Sequence, residues 1–155
     1  MLNIQRFLHG WIVGDLPPPP IANLIGFELQ HAAEGQSRVQ LTAGQNHHNP
    51  MGYVHGGIFC DIADAVMGTA LASLMEEGEI FSTATLSIQY ISPIQEGKLI
   101  AEARVIRRGK TIAHVECDIH DENGGHIAKA WSTCRISHGS YEAIIGREGQ
   151  RPVDL

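Results

Sequence analysis

The sequence predicts an α+β protein in which one long central helix is wrapped by a five- to six-stranded antiparallel sheet. Over residues 56–75, Ile58, Ile62, Val66, Ala70, Leu71 and Leu74 recur at spacings of three and four with many alanines and no proline, the pattern of a helix. Beyond it, residues 83–91, 99–107, 112–120 and 127–136 alternate apolar with polar, the period of half-buried strands. Short turns between such strands favour antiparallel pairing, and a lone apolar helix needs a sheet to cover it.

Taken in order, the chain begins with Ile4, Phe7, Leu8, Trp11 and Ile12 at helical spacing, which predicts a short amphipathic helix docked on the body or on a neighbouring subunit. Pro17 to Pro20 follow; four prolines fix φ and remove amide donors, so this stretch is read as a stiff lead-in that neither continues a helix nor enters a sheet. Phe27, Leu29, Val39 and Leu41 around Glu34-Gly35 suit two short strands joined by a turn. The polar loop 44–50 leads to the long helix, which Glu76, Glu77 and Gly78 close. Ser92-Pro93, Arg108-Gly109 and residues 122–125 break the later strands apart. The organisation expected is a lead-in over 1–20, one domain over 21–138 and a polar tail over 139–155.

Composition narrows the function. At 155 residues and 43% hydrophobic content the chain can bury one sizeable core. A net charge of −6 disfavours nucleic acid as the main partner, since phosphate binding requires a concentrated basic surface. Arg104, Arg107, Arg108 and Lys110 form the densest positive stretch, either a small-anion site or a solvated strand end. No apolar run reaches the roughly 20 residues that span a bilayer, and no leader pattern opens the chain, so a cytoplasmic protein without a membrane partner is expected. Cys60, Cys117 and Cys134 are far apart and odd in number, which reads as reduced thiols. His47-His48 with His55 has no carboxylate or cysteine at a familiar ligand spacing, so neither a metal nor another cofactor is expected. Cys60 is expected as a small buried helix residue rather than a nucleophile, and Tyr90 and Trp131 as core or pocket walls.

Chemistry concentrates in Asn49-Pro50-Met51-Gly52-Tyr53-Val54-His55-Gly56-Gly57, which runs straight into the helix carrying Asp61 and Asp64. Two glycines at a helix start allow another molecule to approach the backbone, and free amides there with the helix dipole suit a developing oxyanion. An ordinary glycine-rich turn has the same composition. Asp61 lies three residues before Asp64, nearly on the same face, and is its main rival; alone it reads as a first-turn acidic residue favoured by the helix dipole. Asp64 sits between Ile62-Ala63 and Ala65-Val66, where burial of a charge would be costly without a purpose.

Asn-Pro-x-Gly-x-x-His-Gly-Gly followed by an acidic residue nine positions after the histidine resembles the PaaI-like family of hotdog-fold acyl-CoA thioesterases. The resemblance spans 23–137 and includes the strand ending at Ser92-Pro93 and the turn Arg108-Gly109-Lys110-Thr111. It implies hydrolysis of acyl-CoA, with aromatic or medium-chain acyl groups, without a cofactor. It makes Asp64 the general base or nucleophile, Asn49 an orienting group, and the Gly57 amide the carbonyl polariser, with His55 and Gly56 shaping the turn. Thr83 falls where the family has a hydroxyl near the attacking water, and the adjacent Ser82 keeps that choice open. Arg108, Lys110 and Thr111 fall where the family meets the coenzyme A phosphates. Met67, Leu71 and Phe81 are expected to line the acyl pocket.

Asp64 lies seven residues beyond Gly57, and at a rise of about 1.5 Å per residue the two are roughly 10 Å apart along the axis. One chain therefore cannot present both to one carbonyl. Two helices antiparallel about a twofold could, which makes a homodimer part of the implied mechanism; the family also pairs dimers into homotetramers. Two other readings stay open: an acyl-CoA or acyl-carrier binding protein without turnover, and a hotdog dehydratase or hydratase using a histidine and a carboxylate.

Overall fold

The computed structural model describes residues 4–139. Its elements in chain order are α1 (Ile4–Val13), α2 (Pro20–Ile25), β1 (Phe27–Ala33), β2 (Gln36–Ala43), a 3₁₀ turn (Gln45–His47), α3 (Gly56–Ala72), β3 (Glu79–Tyr90), β4 (Gly97–Arg108), β5 (Ile112–Asp121) and β6 (His126–His138). The six strands form one sheet in the order β1-β2-β4-β5-β6-β3, with every neighbouring pair antiparallel. α3 touches all six strands, so the sheet curls around it. This is the hotdog arrangement.

The sheet can close on α3 because its inner face is built of small residues. Ala101, Ala103, Ala113, Cys117, Ala128, Ala130 and Cys134 are all buried, and Ala63 and Ala70 of α3 meet them. Bulk comes from Val39, Leu41, Ile62, Val66, Met67, Leu71, Leu99 and Ile119, all at 1% exposure or less. Burial in this dry core pushes the Cys117 thiol up to about 12, which keeps it a protonated, unreactive packing group.

Two parts of the expectation are corrected. Pro20 does not exclude a helix; it opens α2, where its fixed φ suits the first helical position and its missing amide costs nothing. α3 ends at Ala72, beyond which the Leu74 and Met75 amides turn back only three residues, to the Leu71 and Ala72 carbonyls, and bring the chain to a buried Met75. The predicted amphipathic helix is α1, and it docks on its own chain. Leu8 joins the core and Gln5 Nε2 donates to the Met75 carbonyl at 2.7 Å. Apart from Gly139, the predicted polar tail lies outside the described residues.

β3 is an edge strand. It runs twelve residues, and from Ile80 to Tyr90 it carries neither charge nor proline, the devices that normally blunt an edge. Its register against β6 shifts between Thr83 and Thr85, a bulge that swings one residue out of the ladder. As a result Phe81 and Thr83 before the shift and Leu86 and Ile88 after it face α3.

Candidate active site

The loop before α3 is held by its own polar groups. The Asn49 side-chain carbonyl accepts the amides of Met51 (2.9 Å) and Tyr53 (3.2 Å), and the Asn49 amide donates to the Tyr53 carbonyl at 2.7 Å. His47 receives the Gly44 amide on Nδ1 (3.1 Å) and reaches the Ile25 carbonyl through Nε2 (2.8 Å), so both ring nitrogens are occupied in pinning the loop. His48 does the same to the Gln95 carbonyl at 2.7 Å. Among the described residues no cluster of His, Cys, Asp or Glu has the geometry to hold a metal ion.

His55 is the residue preceding α3, in extended conformation, and no side chain caps the helix. The first amides of a helix have no acceptor within it, so those of Gly56 and Gly57 are left for another partner. Both glycines have local steric reasons as well. A Cβ on Gly56 would meet the Tyr90 hydroxyl at 2.9 Å, and one on Gly57 would meet the His55 ring at 3.1 Å. The Tyr90 hydroxyl donates to the Gly56 carbonyl at 3.0 Å; contact with Cys60 and partial burial push its pKa up to about 12, so it stays a donor. Tyr90 is a pocket wall as expected, beside Asn49, Met51, Tyr53 and Phe59 around a 480 Å³ cavity at the start of α3. Cys60 is half-buried, not buried, because it faces Tyr90 at 3.5 Å and not the alanine-lined core.

Asp64 is exposed within the single chain, which corrects the expectation of a buried carboxylate: α3 turns Ile62, Ala63, Val66 and Met67 to the core and Asp64 outward. Its Oδ1 accepts the Thr83 hydroxyl at 2.9 Å. Thr83, not Ser82, reaches the carboxylate. Below this pair lies an apolar cavity of 280 Å³ walled by α1, α3 and β3. Phe81 lines it. Met67 and Leu71 are not among its walls; they sit at 1% and 0% exposure within the core. The sequence reading also missed Phe7 and Trp11, which wall the cavity from α1. Their helical spacing announced an apolar face without indicating what it covers.

Asp61 is half-buried and lies beyond the first turn of α3, which corrects its reading as a first-turn residue; burial followed by repulsion from Asp64 raises its pKa. A carboxyl whose pKa is raised on folding loses stability as pH rises through that value. Asp61→Asn is therefore expected to stabilise the fold at neutral pH by a few tenths of a kcal/mol after solvent screening, with the gain vanishing in acid; thermal melts at pH 7 and pH 3 check it.

Two of the four cations of the basic stretch are paired with carboxylates. Arg104 pairs with Glu116 at 2.5 Å, and Arg108 pairs with Glu79. The Glu76 amide and, after it, the Arg108 bond hold the Glu79 carboxyl below its ordinary range, and this anchoring starts β3 four residues ahead of the position read from the sequence. Lys110 and Thr111 are exposed in the turn before β5.

Residues 51–128 match the family model described as the thioesterase superfamily. The chain belongs to the thioesterase superfamily. It is 31% identical over 98 residues to the 1,4-dihydroxy-2-naphthoyl-CoA hydrolase of Listeria monocytogenes, covering 63% of this chain and 80% of that one. It is 28% identical over 100 residues to acyl-coenzyme A thioesterase 13 of Homo sapiens, covering 64% and 71%. Among solved structures it is similar to a phenylacetic acid degradation-related protein from Ralstonia eutropha JMP134, with a TM-score of 0.75 and 28% identity over 86% of this chain and 99% of that one. This thioesterase is thus a thioester hydrolase, and no helix of its described residues is long and apolar enough to cross a membrane.

Proposed function

We propose that this thioesterase hydrolyses acyl-CoA thioesters with aromatic or medium-chain acyl groups, using Asp64 of one subunit against a carbonyl held at the Gly57 amide of another. The observation that carries the reading is the Asp64 carboxylate, hydrogen-bonded by Thr83 at the mouth of an apolar cavity. As a base, Asp64 takes a proton from water, whose oxygen adds to the thioester carbon. The resulting oxyanion rests on the helix-start amide; the C–S bond then breaks and the thiolate recovers the proton. As a nucleophile, the same carboxylate adds to the thioester carbon and expels the coenzyme A thiolate, leaving a mixed anhydride; water then opens the anhydride to the free acid and the restored carboxylate, and the proton released goes to the thiolate. Asn49 holds the loop from which the carbonyl site is built. Lys110 and Thr111 are free to meet the phosphates of coenzyme A, and Arg108 must share its charge with Glu79.

The subunit interface is assigned to β3. A long uncharged edge strand next to the catalytic pair is suited to pairing with its twofold mate, which brings two copies of α3 side by side. A homodimer is the minimal active unit, and two dimers form a tetramer. The test is thiol release from a panel of aromatic and straight-chain acyl-CoAs, alongside the mass in solution by light scattering. Ser87→Lys, which places two like charges near the twofold, is expected to shift the mass towards one chain and to lower thiol release about tenfold or more, since separated chains lack half of each site. Absence of thiol release from every acyl-CoA by the natural protein would sink the proposal, and a fully active single chain would sink the shared site.

A further inference from the structure

The cavity under Asp64 owes one wall to α1. Ile4, Phe7, Leu8 and Trp11 face it from that helix, and Phe27 extends the wall from β1. The rings of Phe7 and Trp11 stand 6.2 Å apart and those of Trp11 and Phe27 6.3 Å apart, so the wall is a continuous aromatic surface. Three of the chain's four phenylalanines, Phe7, Phe27 and Phe81, line this one cavity, which marks it as built for an apolar occupant.

Its polar groups are few. The Thr69 hydroxyl is turned back onto the carbonyls of Ala65 (2.8 Å) and Val66 (3.1 Å), leaving Asp64 and Thr83 at the rim. At 280 Å³ the space falls just below the roughly 300–1,000 Å³ of pockets that take whole small molecules, so it accepts one apolar group of a larger ligand.

Gly68 provides a second and independent sign. It sits in the middle of α3, where glycine costs about 1 kcal/mol relative to alanine. A Cβ there would meet the Phe81 ring at 3.8 Å, an ordinary contact, so neither packing within the chain nor backbone conformation demands glycine. The missing side chain leaves room in the cavity.

We infer that this cavity holds the acyl group, and that α1, through Phe7 and Trp11, sets the size of the group accepted. The inference rests on the function proposed above. It adds that the subunit supplying the carboxylate also holds the acyl group, while its partner supplies the carbonyl-binding amide.

The test compares kcat/KM across straight-chain acyl-CoAs from acetyl to lauroyl in the natural protein, Gly68→Ala, Gly68→Leu and Phe7→Ala. Gly68→Leu is expected to lower the long-chain to short-chain ratio tenfold or more, with Gly68→Ala intermediate and Phe7→Ala shifting the optimum to longer chains. Gly68→Ala favours the helix, so the series stays informative even where Phe7→Ala fails to fold. An unmoved chain-length profile in an active Gly68→Leu enzyme would overturn the inference and leave the proposed hydrolysis standing. Sodium decanoate titrated against Trp11 fluorescence in a Trp131→Phe background reads the cavity without turnover. A saturable change that Gly68→Leu weakens is expected, and no change in the parent would count against the cavity even if hydrolysis fails for another reason.

Discussion

Asp64→Ala is expected to lower thiol release from acyl-CoA by about 10³-fold or more, equivalent to about 4 kcal/mol of lost transition-state stabilisation, while acyl-CoA binding persists. The loss should fall on kcat rather than KM, because the carboxylate acts on a water or on the carbon only as the bond forms. Asp64→Asn keeps the side-chain shape and still accepts a hydrogen bond from Thr83, so equal inactivity in both variants would assign the effect to the charge. Asp61→Asn in the same assay provides the contrast: it leaves the Thr83–Asp64 pair intact and removes a carboxyl that burial already disfavours as an anion. Stopped-flow thiol detection with binding by calorimetry separates these outcomes. Full activity in Asp64→Ala, or inactivity of Asp61→Asn with Asp64 in place, would move the catalytic role from one carboxylate to the other.

The second large effect belongs to the core. Leu71→Ala is expected to destabilise the fold by about 2–5 kcal/mol, since the side chain is fully buried beneath the sheet and its removal leaves a void. The acyl-length profile of the folded fraction should be unchanged, because Leu71 is not among the residues that wall the cavity below Asp64. Urea unfolding measures the first quantity and the acyl-CoA series the second. A shifted acyl preference with unchanged stability would return Leu71 to the pocket wall read from the sequence.

That reversal shows where sequence reasoning stops. Helical periodicity located α3, and strand alternation located β1, β2 and β4 to β6 to within a few residues, because each pattern follows from a local rule about which side chains share a face. The glycine pair and the spacing of Asp64 were equally legible, since a helix start and the rise along its axis are local geometry. Which side of an apolar helix meets the sheet and which meets a cavity is not local. Met67, Leu71 and Phe81 are all apolar, and only the closure of the sheet sent the first two to the core and the third to the cavity.

Thr83 is the sharpest instance. Counted by twos back from Leu86 and Ile88, Ser82 would share their face and Thr83 would point away. The one-residue bulge between Thr83 and Thr85 inverts that count and delivers the Thr83 hydroxyl to Asp64. Likewise, the apolar stripe of α1 was visible, but its destination was not, because a stripe records that a helix must be covered and not by what. The sequence by itself determined the long helix, α1 and the run of strands, the helix-start glycines and the position of the carboxylate, all consequences of spacing along one chain, but not α2 or the start of β3. The tertiary structure decided the hydroxyl beside that carboxylate and the wall behind it, because both depend on strand register and on packing between residues far apart in the chain.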